Sequence, residues 1–135
     1  MYACGTNMRQ DLQSYCRILP WKAAYSGGDY VSLYQFFEQN PAVDFRRAPE
    51  GGVAYDTGYS LVPSIRLELL RTGMNDIRYL KELELLAKGT SYGKETAAFI
   101  KKSLHEIAVI YPHDPSRAEN FREEVIKRIL KITNK

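Results

Sequence analysis

Apolar residues recur at helical spacing through most of the second half of the chain. Val62, Ile65 and Leu69 share one face, and Ile77, Leu80, Leu83 and Leu86 resume the spacing as far as Gly89. Thr72 and Gly73 interrupt the pattern. Glycine readily takes the left-handed conformation that ends helices, so the spacing predicts two helices meeting at Gly73. A third helix is predicted over about 93–111, with Ala97, Ile100, Leu104, Ile107, Ala108 and Tyr111 as its apolar stripe. A last helix starts where Ser116 is followed three residues later by Glu119, a capping-box spacing with Pro115 before it. Phe121, Val125, Ile129 and Ile132 form its inner face, with the i,i+4 pairs Glu123–Lys127 and Glu124–Arg128 on the wet side.

The first half has a different rhythm. "MYACG" reads as a short strand ending at Gly5. Asn7 and Gln10 have capping-box spacing, and Leu12, Tyr15, Cys16 and Leu19 continue as a helix. Pro20 lacks a backbone donor and is expected to end or kink that helix. After Gly27 and Gly28, the stretch from Tyr30 to Phe37 is rich in strand formers. The order strand, helix, strand leaves a crossover long enough for a parallel pair. Residues 39–62 are crowded with Pro, Gly and Asp and read as one long loop, functional or disordered.

Two parallel strands do not make a stable sheet, because parallel sheets are covered on both faces and have several strands. The pattern therefore predicts the end of a larger fold. It also predicts self-association of the isolated chain, because unpaired strand edges invite association.

Composition narrows the class. The chain has 135 residues, 44% hydrophobic and 26% charged, as in an ordinary globular domain. No apolar stretch approaches the roughly 20 residues that a membrane helix needs, and the first residues have no signal-peptide core. The net charge is +3, with basic and acidic residues interleaved, which argues against a nucleic-acid partner. Cys4 and Cys16 are too few for a disulfide framework and are expected to be free thiols. "GTSYGKET" (89–96) is one residue short of a phosphate-binding loop, has Glu95 where Ser or Thr is needed, and follows a helix. His105 and His113 belong to no ligand cluster, so no metal or cofactor is implied.

Three stretches together resemble the C-terminal part of glycoside hydrolase family 123-like proteins. "MYACG" is similar to a strand with a Tyr-x-Cys signature, and "RILPWKAAYSGGDYVSLYQF" to the helix and last strand that follow it. "VPSIRLELLRTGMNDIRYL" (62–80) resembles the family's most recognisable C-terminal stretch, matching at Pro63, Ser64, Ile65, Arg66, Leu67, Glu68, Leu70, Arg71, Gly73, Asp76, Tyr79 and Leu80. The resemblance covers about residues 1–88 and leaves 89–135 as a helical extension. It implies an α/β fold: the last strand-helix units of a (β/α)8 barrel, followed by C-terminal helices. A complete barrel takes about 250 residues, so this would be an incomplete one. The family's adjacent Asp-Glu catalytic pair has no counterpart, since no Asp-Glu dipeptide occurs here. Tyr30 and Tyr34 replace a Gly and a Trp of the last-strand pattern.

Glycosidases usually place two carboxylates across the scissile bond, although some let the substrate's acetamido group act as nucleophile. Glu38, Asp44, Asp56 and Glu68 are the candidate carboxylates; the plainer reading is that they are solvated. Glu38 follows the last predicted strand, where barrel active sites gather. Tyr2, Tyr34, Phe36 and Phe37 are candidates for stacking on a sugar ring, with core packing as the alternative. Arg66 is a candidate for contact with substrate or with a loop carboxylate such as Asp56. Glu68 and Arg71, i,i+3 neighbours, are expected to pair, with Gly73 turning the chain and Asp76 near the start of the next helix. This cluster reads as a structural lock.

The expected function is the C-terminal fragment of a glycoside hydrolase-like protein acting on glycans, with N-acetylhexosaminides as a candidate substrate and no catalytic pair of its own. The competing expectation is a non-catalytic α/β helical module that binds a partner chain.

Overall fold

The computed structural model describes residues 2–3, 16–33, 54–56 and 59–134. Four helices dominate: α1 (Leu19–Tyr25), α2 (Ile65–Ala87), α3 (Gly93–His105) and α4 (Pro115–Thr133). Among the described residues, strand is confined to short ladders. β1 (Tyr2–Ala3) pairs in parallel with β2 (Ser32–Leu33), and β3 (Ala54–Asp56) pairs antiparallel with β4 (Leu61–Pro63). The second ladder lies in the stretch read as one irregular loop.

This corrects the expected α/β class. The described residues are mostly helical and contain no β/α barrel units. Ladders of two and three residues cannot carry a layer, so the apolar helix faces pack on one another instead.

Local chemistry explains the helix ends. Pro20 lies in the first turn of α1, where its missing N–H costs nothing, and a bend at Ile18 separates α1 from the π-helical residues Cys16 and Arg17. The helix closes with Gly27 at φ +74°, the Gly27 amide on the Ala24 carbonyl at 3.1 Å and the Gly28 amide on the Ala23 carbonyl at 2.8 Å. Ser64 caps α2, its hydroxyl accepting from the Arg66 amide at 3.2 Å. At α4 the cap is Asp114, which accepts from the Ser116 amide at 3.0 Å. The expected Ser116–Glu119 capping box is therefore displaced by two residues. Glu119 is turned to another use, described below.

α2 is a single helix straight through Gly73, which corrects the expected break. A Cβ on Gly73 would meet the Arg17 carbonyl oxygen inside contact distance, with the Arg17 carbonyl carbon at 3.0 Å. The glycine is there for the close approach of two backbones. After α3 a π-helical turn, Glu106–Ile110, closes with the Tyr111 amide on the Glu106 carbonyl at 2.8 Å. It buries Ile107 and Ala108 and leaves Val109, Ile110 and Tyr111 exposed.

α2 packs against α1, α3 and α4. Trp21, Ile18, Leu83 and Val125 are fully buried at the centre. Phe121 meets Trp21 edge-on at 5.0 Å and stacks on Phe99 at 5.0 Å. Phe121 and Val125 are buried as the last-helix spacing predicts, with Ile129 and Ile132 packed at the margin. Among the described residues no helix is long and apolar enough to cross a membrane.

Candidate functional site

Among the described residues, the densest polar cluster lies inside the helical core. Asp76 is in the middle of α2 rather than near a helix start, and its side chain is fully buried. Its position follows from the spacing of Arg66, Gly73, Asp76, Leu80, Leu83 and Ala87, which puts a carboxylate among the buried positions of α2. Both carboxylate oxygens are occupied. Oδ2 accepts from Arg17 Nε and from Trp21 Nε1, each at 3.3 Å. Oδ1 accepts from Arg122 Nε at 2.7 Å.

Glu119 extends the cluster to the rim. Its carboxylate accepts from Arg17 Nη2 at 2.8 Å and lies 3.6 Å from Arg122 Nη1. Arg122 also donates to the Thr72 carbonyl at 3.4 Å. Two guanidinium groups thus face two carboxylates, and the four charges balance. Arg17 precedes α1, Asp76 is on α2, and Glu119 and Arg122 are on α4, so the network ties three parts of the fold together.

The electrostatics follow from this geometry. Burial pushes the Asp76 carboxyl above its ordinary value, while the Arg122 hydrogen bond and the charges of Arg17 and Arg122 pull it back. Arginine and indole nitrogens only donate, so the ionised carboxylate is the form that these contacts require. The Glu119 carboxyl is held below its ordinary value, first by the hydrogen bond from Arg17. With both oxygens taken and no exposure, Asp76 is a structural anchor rather than an acid or base for a substrate.

The other predicted residues do not join this cluster. Arg66 is buried in the first turn of α2, and its charge acts on the Cys16 thiol. Burial raises that thiol and Arg66 opposes the rise, which leaves Cys16 a buried free thiol of low reactivity. Glu68 and Arg71 do pair, at 2.6 Å, but on the surface, with side chains 44% and 70% exposed. Of the predicted lock, Gly73 and Asp76 are in the core and Glu68 and Arg71 are outside it. Tyr2 lies in β1, where its backbone pairs with Ser32. Tyr34, Phe36, Phe37, Glu38, Asp44 and Cys4 lie outside the described residues, as does the side chain of Asp56.

Arg17, Trp21, Glu119 and Arg122 were not identified from sequence as partners of Asp76. The available signal was Asp76 itself, a carboxylate among apolar positions that needs cationic partners once buried.

An apolar groove of about 220 Å³ opens elsewhere, between the end of α1 and the middle of α2. Pro20, Ala23, Met74, Ile77, Leu80 and Leu104 line it, with Asp29, Lys81 and Glu84 among its polar residues. Near it, Tyr25 of α1 and His105 of α3 meet on the surface at 3.2 Å. Among the described residues, no three His, Cys, Asp or Glu side chains gather as metal ligands. Comparison with known proteins finds no matching family model, no matching curated protein and no matching solved structure.

Proposed function

We propose that this chain is a non-catalytic helical part of a glycoside hydrolase-like protein that acts on glycans, with N-acetylhexosaminides as the substrate class. The glycan assignment rests on the resemblance carried by residues 62–80. The observation that carries the non-catalytic role is the buried cluster around Asp76. Within the resembling stretch, Gly73 and Asp76 serve packing: one lets α2 approach Arg17, the other anchors Arg17 and Arg122. Substrate contact through Tyr2, Tyr34, Phe36, Glu38 or Arg66 belongs to the same proposal, as does self-association of the isolated chain.

The test is an assay of the chain at high concentration with a chromogenic aryl N-acetylgalactosaminide, paired with the gene sequence upstream of the Met1 codon. No turnover is expected from the chain alone, and an adjacent Asp-Glu pair is expected in upstream coding sequence. Co-expression with that segment is expected to produce hydrolysis. Turnover by the chain alone that is lost in Glu38→Gln would overturn the non-catalytic role. Upstream coding sequence without such a pair would remove the glycan assignment.

A second reading, a non-catalytic helical interaction module that binds a partner chain, is favoured by the apolar groove beside α1 and α2. A Met74→Glu variant that folds normally but no longer recovers a partner bound by the wild type would support it.

A further inference from the structure

We draw no further inference here: the strongest candidate, the apolar groove between the end of α1 and the middle of α2 lined by Pro20, Ala23, Met74, Ile77, Leu80 and Leu104, carries nothing because nothing in the structure shows what covers it.

Discussion

Arg17 and Asp76, 59 positions apart in the chain, meet in the helical core with Arg17 Nε 3.3 Å from Asp76 Oδ2. Both side chains are almost entirely shielded from water, at 7% and 0% exposure. A buried ion pair of this kind is close to neutral against a well-packed apolar pair, because desolvation opposes the attraction. Removing one partner is different, because it leaves the other charge buried and uncompensated.

Asp76→Ala is therefore expected to destabilise the fold by about 3–5 kcal/mol, since it takes the acceptor from the buried Arg17 Nε and Trp21 Nε1 and removes the main partner of Arg122. Asp76→Asn keeps the volume but presents amide hydrogens where donors already point, so it is expected to destabilise as well. Urea unfolding followed by circular dichroism measures both. A loss under about 1 kcal/mol for Asp76→Ala would match a solvated pair and contradict the buried cluster.

Gly73→Ala tests the approach of α2 to the Arg17 backbone. In an unpacked helix the substitution would stabilise by about 1 kcal/mol through propensity alone. Here the added Cβ would meet the Arg17 main chain, with the carbonyl carbon at 3.0 Å and Cα at 3.2 Å. The expected outcome is a net loss of about 1–3 kcal/mol from overpacking, seen as a lowered Tm. A raised Tm would show that the two backbones do not touch.

Glu68→Ala serves as the contrasting surface case. The Glu68–Arg71 pair is short, at 2.6 Å, but both side chains are substantially exposed. Exposed i,i+3 pairs contribute about 0.2–0.5 kcal/mol, so a change of that size or less is expected. A loss above about 1.5 kcal/mol, measured by the same urea titration, would restore Glu68 and Arg71 as the lock that the sequence reading made of them.

Legibility in the sequence followed the regularity of the pattern. The inner face of α4 was readable because Phe121 and Val125 repeat at helical spacing; of the stripe expected over 93–111, Ile100, Leu104, Ile107 and Ala108 pack inward, while Ala97 and Tyr111 are exposed. Gly73 was misread because a glycine within such spacing signals a stop; the Arg17 carbonyl that it makes room for is 56 positions away, invisible to any local window. Asp76 was placed at a helix start because that is where an isolated carboxylate is favoured. Its true partners, Arg17 and Arg122, come from other parts of the fold. The strands failed as a basis for the fold class because a run of β-formers such as Tyr30–Phe37 does not say how many neighbours it pairs with.

Glu119 makes the stability of the α1–α2–α4 arrangement depend on acid pH in a defined direction. Its carboxyl is held low in the folded protein, chiefly by the hydrogen bond from Arg17, helped by the charges of Arg122 and Arg17. In the unfolded chain it titrates near the ordinary value, about 4.3. A group depressed on folding contributes stability that is fully present above its unfolded value and is lost as pH falls through its folded value. Glu119→Gln is therefore expected to be less stable than the wild type at pH 7, and the two should converge as the pH drops below about 4. The side chain is half exposed, so solvent screening limits the difference at pH 7 to about 1 kcal/mol or less. Asp114 is also held low, by its hydrogen bonds to Ser116, but it is present in both proteins and cancels in the comparison. Thermal melts of the two proteins between pH 3 and pH 7 provide the measurement. A Tm difference that stays constant across that range would show that the Glu119 carboxylate is not engaged by Arg17 and Arg122 in solution.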